Sequence, residues 1–245
     1  MAVSGPYAFI SDVHSNLEAL CAVFDNIERR GVSDVCFIGD AVGYGPDPNE
    51  CLDLLKERCR AFVAGNHDWA VLGYTPTDYF NPNARAAIEW TVNVISEEGI
   101  AFLKSFGIIK VIPEGRFFLV HATPKDPDSW NYIRTLYDAE VNFHYFEEHA
   151  CISGHSHMPV IIERLPSGEF LHCRDRVRHS ETSRYLINAG SVGQPRDGDP
   201  RASYVIISGD DIEIIRVDYD FCKTQIKMRE AGLPESLIER LERGV

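Results

Sequence analysis

Long apolar runs are missing from this sequence: none reaches the ~18 residues that a membrane-spanning helix needs, so a helical membrane protein is not expected. Export is not expected either. The N-terminus has no basic segment followed by an apolar core, and a strand-like run begins almost at once at Tyr7. Cysteine is scarce and unpatterned. The seven cysteines, at 21, 36, 51, 59, 151, 173 and 222, are odd in number and none has Cys-x-x-Cys spacing. That disfavours a disulfide framework or a zinc ribbon and reads as free thiols, several in core-facing strands, in a reducing cytoplasm. Basic residues are also few. There are 24 Lys and Arg against 37 Asp and Glu, a net charge of −13 with no basic patch. Affinity for long nucleic acids comes mainly from cations neutralising phosphates, so such a partner is not expected. A small phosphate stays compatible, because bound divalent cations reverse the field locally. There is no internal repeat, low-complexity tract or long linker, and no oligomeric state is implied.

What is present reads as one domain over 1–245, large enough to bury a core without staples. Tyr7 to Ile10 is a strand. Ser15 to Arg30 follows as a helix, with Ser15 as N-cap, Glu18 completing a capping box, and Leu17, Leu20, Phe24 and Ile27 on one face. Val35 to Ile38 is a strand, Pro48 to Arg58 a helix with proline in its first turn, and Ala61 to Ala64 a strand. This β-α-β-α-β order implies a parallel sheet. Two helices, Asn83 to Ser96 and Glu97 to Phe106, precede β-rich sequence at 108–112, 116–120, 150–153, 159–163, 169–173, 184–188, 202–208 and 211–217. Hairpin turns are expected at Pro166-Ser167-Gly168 and at Ser208 to Asp211. From about Asp220 the tail reads as helical, interrupted at Gly232-Leu233-Pro234. A parallel half followed by a more antiparallel half suggests two stacked sheets with helices outside.

Chemistry appears where apolar runs end. Tyr7 to Ile10 leads into Asp12 and His14. Val35 to Ile38 leads into Gly39-Asp40. Ala61 to Ala64 leads into Gly65-Asn66-His67-Asp68. Phe117 to Val120 leads into His121, and Ala150 to Ser153 leads into Gly154-His155-Ser156-His157. Any one of these is equally a turn, a helix cap or a satisfied core histidine. All five in order are hard to read as structural, because ligands of open α/β sheets bind at the carboxyl ends of strands. Imidazole with carboxylate suits manganese, iron or zinc, and one bridging carboxylate can hold two metals.

These residues resemble the calcineurin-like metallophosphoesterase superfamily, whose pattern is Asp-x-His, Gly-Asp, Gly-Asn-His-Asp/Glu, a lone His and Gly-His-x-His. Motifs carry the resemblance over roughly 7–160. The stretches Asn188 to Arg196 and Gly43 to Pro48 look like those of small prokaryotic phosphodiesterases and dinucleoside-polyphosphate hydrolases. The resemblance implies a four-layer α/β/β/α sandwich of two mixed sheets. It implies Asp12, His14 and His157 as ligands of one divalent ion, Asn66, His121 and His155 as ligands of a second, and Asp40 as the bridge. Manganese is the leading choice, with iron, zinc or nickel as others. His67 resembles the general acid or transition-state stabiliser, and Asp68 completes its motif. One position departs from many relatives: Gly43 stands where they carry an acid, and Tyr44 where some phosphatases carry an arginine. That puts the tuning of His67 in question and argues against a phosphoprotein phosphatase.

The expected function is hydrolysis of a small phosphodiester or nucleotide-type phosphate by a hydroxide bridging two metals. Arg196, and the loop residues Trp130 and Tyr132, are candidate substrate contacts alongside Tyr44. Trp90 is read as core. His144 and His149 are read as solvated or capping residues of a helix spanning Ala139 to His149, and His172 and His179 as structural. Two rival readings are a catalytically silent metal-binding scaffold and another two-metal hydrolase, such as an amidohydrolase.

Overall fold

The computed structural model describes residues 5–173 and 175–245. Among these described residues twelve strands run in chain order. The first five are β1 (Tyr7–Ile10), β2 (Asp34–Ile38), β3 (Ala61–Val63), β4 (Ile109–Ile112) and β5 (Phe117–Val120). Then come β6 (Ala150–Ser153), β7 (Val160–Arg164), β8 (Phe170–Cys173) and β9 (Arg176–Arg178). The last are β10 (Arg184–Asn188), β11 (Ala202–Ser208) and β12 (Asp211–Val217). The helices are α1 (Leu17–Arg29), α2 (Pro48–Arg58), α3 (Asn66–Val71) and α4 (Pro82–Val94). They continue with α5 (Glu97–Leu103), α6 (Leu136–Asn142), α7 (Phe221–Glu230) and α8 (Glu235–Glu239). None of the described helices is long and apolar enough to cross a membrane.

The strands form two six-stranded sheets, ordered β3-β2-β1-β11-β12-β9 and β4-β5-β6-β10-β7-β8. The division is not parallel half against antiparallel half. β1, β2 and β3 are parallel, but β11 returns to pair antiparallel with β1, setting Tyr7 opposite Ile207. In the other sheet β5, β6 and β10 are mutually parallel and antiparallel strands flank them.

Both faces of the central strands are buried, which is why they read as unbroken apolar runs rather than alternating ones. Ala8 and Ile10 of β1 point to a core shared with α1 and α2, whereas Tyr7 and Phe9 point between the sheets. On β5, Phe117 and Leu119 meet them there, while Phe118 and Val120 face α6. Phe117 packs edge-on against Tyr7 and Phe9, with centroids 5.2 and 5.0 Å apart, and ties the sheets together. Truncating such a ring to alanine costs about 3–5 kcal/mol. Helices, sheet, sheet and helix therefore make the four-layer sandwich.

Three local readings need correction. α1 is capped by Asn16, whose Oδ1 accepts from the Ala19 N–H, and not by Ser15, which is held in the left-handed region at φ 55°. Glu18 is drawn away from the cap to Lys223 and Lys227 of α7, at 3.1 and 2.7 Å. The helix expected over Ala139 to His149 is instead α6, ending at Asn142. It starts early because Thr135 and Asp138 form a capping box, and beyond it Phe143 and Phe146 turn into the core under the second sheet. His149 is consequently buried just before β6, packed against His179 and Tyr185 at 4.5 and 5.4 Å between centroids. His144 stays exposed, and Trp90 packs partly buried against the core around Tyr44 and Met228.

The tail seals one end of the molecule. α7 and α8 place Met228, Leu237, Ile238 and the following Leu241 against Tyr44 and the alanines of α4. Lys227 adds an ion pair to Asp47 at 2.9 Å.

Candidate metal centre

The loops after β1 and β2 stay hydrogen-bonded beyond the sheet. Asp12, His14 and Ser15 donate their N–H groups to the carbonyls of Gly39, Asp40 and Ala41 at 2.9–3.0 Å. This pairing carries Asp12, His14 and Asp40 out together at one rim. β3 delivers Asn66 and His67 at the start of α3. β5 and β6 of the facing sheet deliver His121, His155 and His157. Both sheets therefore contribute to one cluster, and all seven side chains named as ligands are buried. Gly154 permits the approach between sheets, since a Cβ there would lie 2.3 Å from Asp12 Oδ2.

The arrangement is strained. Ten non-glycine residues among those described have positive φ, and seven of them (Asp12, His14, Ser15, Asp40, Tyr44, His155 and His157) line or adjoin the cluster. Each such conformation costs on the order of 1–3 kcal/mol and persists where surrounding contacts over-determine it.

The imidazoles are fixed from behind. Nδ1 of His14 meets the Val42 carbonyl at 3.1 Å and Nδ1 of His121 meets the Ile38 carbonyl at 2.8 Å. Nδ1 of His157 meets the Gln194 carbonyl. In His155 the ring is reversed, with Nε2 on the Trp130 carbonyl at 2.9 Å. A carbonyl only accepts, so each of these nitrogens carries a proton and turns the opposite nitrogen toward the cluster, where it offers a lone pair once the ring is neutral. Those lone pairs converge. Nε2 of His14 and Nε2 of His157 are 3.1 Å apart. Asp12 Oδ1 lies 3.1 Å from His157 Nε2 and 3.7 Å from His14 Nε2. Asp40 Oδ2 lies 3.6 Å from His14 Nε2 and 3.2 Å from His121 Nε2. Among the described residues no hydrogen-bond partner serves the buried Asp12 Oδ1, Asn66 Oδ1 or His121 Nε2. Acceptors facing acceptors in a buried site fit cations between them.

Two ligand groups are separable, each with its donor atoms within 4.8 Å of one another: Asp12 with His14 and His157, and Asp40 with His121 and His155. Asp40 also groups with His14 and His67, so it borders both.

The charges agree with this chemistry. Burial would raise the Asp12 and Asp40 carboxyls, yet the surrounding imidazoles hold both far below the usual carboxylate range. Burial, with His121 nearby, lowers His155 to about 4, and burial, with Arg196 nearby, lowers His157 to about 3. Both rings are neutral at pH 7, ready to ligate. His121 is the exception: against the pull of burial, Asp40 and Asp12 push it up to about 10.

His67 and Asp68 stand beside the cluster in different ways. The His67 ring is wedged among Tyr44, His14 and Phe80, at centroid distances of 4.4, 4.8 and 5.0 Å. Its backbone N–H donates to Asp40 Oδ1 at 2.8 Å. Burial holds its pKa well below the ordinary value, with help from His14 and Arg196. Asp68 accepts from the N–H groups of Asp40, Ala41, Val42 and Gly65, at 2.9 to 3.3 Å. Burial and the Asp40 charge push it up to about 7 against those donors. Its contacts place it as a clamp on the loop that carries Asp40.

Tyr132 stacks on the His155 ring at 4.3 Å, and Arg196 lies 5.5 Å over the Tyr44 ring. The loop candidates thus border the cluster, whereas His172 and His179 lie outside it. The carbonyls of Ile38, Val42, Trp130 and Gln194 set the ring orientations, yet a carbonyl leaves no mark on residue type. Asn188 had a signal, the Asn188 to Arg196 stretch. Its side-chain amide donates to the Gly154 carbonyl and to Ser156 Oγ, holding the loop between the two β6 histidines.

A family model described as calcineurin-like phosphoesterase superfamily domain matches residues 7–211. An uncharacterised protein of Methanocaldococcus jannaschii is 43% identical over 243 residues, covering 98% of each chain. The crystal structure of a metallophosphoesterase from Sphaerobacter thermophilus is similar at TM-score 0.86 and 42% identity, over 98% of this chain and 99% of that one. A hypothetical protein from Pyrococcus horikoshii shares the fold at TM-score 0.81 and 18% identity, over 98% of each chain.

Proposed function

The chain belongs to the calcineurin-like phosphoesterase superfamily, a family of hydrolases of phosphate esters, and on that premise we propose that it cleaves a small phosphodiester or nucleotide-type phosphate at a pair of divalent cations. Asp12, His14 and His157 would hold one cation, Asn66, His121 and His155 the other, and Asp40 would bridge them. Manganese is the first choice, with iron, zinc or nickel as alternatives, because the donors are imidazole, carboxylate and amide with no thiolate. Bound there, such a pair supplies Lewis acidity and an activated water near neutral pH.

The observation that carries this reading is the pair of imidazole nitrogens of His14 and His157, 3.1 Å apart with both rings tied back to carbonyls. Two lone pairs do not stay that close in a buried site without a shared positive partner. The chain's own groups do the rest. Asp12 and Asp40 are already ionised. His67, neutral at rest, offers an N–H to the leaving oxygen as negative charge develops there, a stabilising donor rather than a pre-charged acid. Asp68 and the strained backbone keep the ligands in place before substrate arrives.

Both sheets supply ligands and the tail packs on Tyr44, which supports reading the chain as one domain. The free thiols suit a reducing compartment, and we place the protein in the cytoplasm. The net charge of −13 opposes long polyanions and favours a small phosphorylated substrate.

Turnover of bis-p-nitrophenyl phosphate by metal-stripped protein, with and without added Mn²⁺, tests the reading. Activity restored by the cation is expected. No activity with any divalent cation would favour the silent scaffold or an unrelated two-metal hydrolase.

A further inference from the structure

The C-terminal segment brings a second arginine to the site. Arg240, immediately after α8, donates from Nη1 to Gln194 Oε1 at 3.3 Å, and Arg196 donates from Nη2 to the same oxygen at 2.7 Å. Two guanidinium groups therefore share one neutral acceptor. Among the described residues neither pairs with an Asp or Glu side chain. Asp197 is taken by Arg216 and Asp199 by Arg201. Arg196 Nε is buried and has no acceptor.

The pair is held in position. Arg240 Nε donates to a main-chain oxygen of Val245 at 2.6 Å, and the Gly198 N–H donates to the Gly244 carbonyl at 2.9 Å, fastening the tail to the loop that carries Arg196. That loop backs the metal cluster, since the Gln194 carbonyl orients His157. Arg196 lies over Tyr44, and Tyr44 touches the rings of His14 and His67 at 4.6 and 4.4 Å. The cationic pair thus borders the cluster on the side of His67.

We propose that Arg196 and Arg240 form an anion subsite for a second phosphoryl group of the substrate, adjacent to the one that is cleaved. Like charges brought together on one neutral acceptor, with no acidic side chain between them, repel, and a phosphate dianion removes that repulsion. Planar guanidinium N–H groups match phosphate oxygens in pairs. The subsite rests on the proposed phosphoester hydrolysis and narrows its substrate class to phosphate anhydrides, such as dinucleoside polyphosphates, over simple diesters.

Two readouts test it. Calorimetry with metal-free protein and inorganic pyrophosphate, at one low salt concentration, should show binding that weakens about tenfold or more in Arg196→Gln and in Arg240→Gln, since hydrogen bonds to charged groups are involved. Arg243→Gln removes a charge from the same tail, where Arg243 pairs with Glu239 at 3.7 Å, and should bind as the parent does. With Mn²⁺ present, the ratio of kcat/KM for diadenosine tetraphosphate over bis-p-nitrophenyl phosphate should fall about tenfold in Arg240→Gln. Pyrophosphate binding equal in Arg240→Gln and Arg243→Gln, or an unchanged ratio, overturns the subsite and leaves hydrolysis standing. A parent protein that turns over neither ester sinks the hydrolytic reading, while pyrophosphate binding still decides the subsite.

Discussion

Gly43 and His67 are fitted to each other: a Cβ placed on Gly43 would lie 2.5 Å from the Nδ1 of the His67 ring. The loop position that in many relatives holds an acid is here filled by the histidine ring itself. Aromatic contacts from Tyr44 and Phe80 orient that ring in place of a carboxylate.

Gly43→Ala should therefore displace His67. Gly43 also has φ +87°, which an alanine adopts only with strain. Misplacing a catalytic group by about 1 Å costs up to about 100-fold in rate. The expected result is a 10- to 100-fold lower kcat (an order-of-magnitude range from the same consideration) with parental metal content. Full activity in this variant would show that the His67 position does not matter.

His67→Ala should keep its metals and lose rate. Groups that handle a proton or developing charge contribute about 10²–10⁴-fold. The loss should be smaller on bis-p-nitrophenyl phosphate, whose leaving group needs little help, than on an alkyl phosphodiester. Metal analysis beside steady-state kinetics checks this. Loss of metal instead would make His67 a ligand.

The five strand-end motifs were legible because each apolar run is buried on both faces and stops where its ligand begins. The two hairpins were legible from their glycine turns, and the tail's break from Gly232 and Pro234. Other features leave no trace in residue type. Ser15 looks like a cap, but the chain turns left-handed there to bond Ala41, so Asn16 takes the role. The return of β11 beside β1 is a long-range pairing with no local signature. Arg240 reaches Gln194 across 46 positions of sequence, and only the packing of α8 makes them neighbours. His149 looks solvated until Phe143 and Phe146 are seen to turn inward and shorten α6.

Asp68 should matter for stability as much as for rate. Its carboxyl group serves four buried N–H groups, and leaving buried donors unpaired costs about 1–3 kcal/mol each. Asp68→Ala should lower the unfolding free energy of metal-free protein by about 3 kcal/mol. Urea denaturation measures it, and an unchanged midpoint would contradict the clamp.

Metal uptake should expel a proton. In the metal-free chain His121 is protonated up to a pH of about 10, whereas a ligating imidazole is neutral. His155 and His157 are already neutral, and Asp12 and Asp40 already ionised, at pH 7. Mn²⁺ binding at pH 7.5 should thus release about one proton from this group, seen as a heat that depends on the buffer's ionisation enthalpy. The sign for stability follows. The folded pKa lies above the unfolded value of ~6.5, so this stabilisation of metal-free protein is complete below ~6.5 and is lost as pH rises through about 10. A buffer-independent heat would contradict the charged His121.

The central claim is a pair of cations bridged by Asp40. Diffraction from Mn²⁺-soaked crystals at the manganese edge tests it most directly. Two anomalous peaks are expected, about 3.5–4 Å apart, one beside Asp12, His14 and His157, the other beside Asn66, His121 and His155, with Asp40 between. A single peak, or peaks away from Asp40, would contradict it.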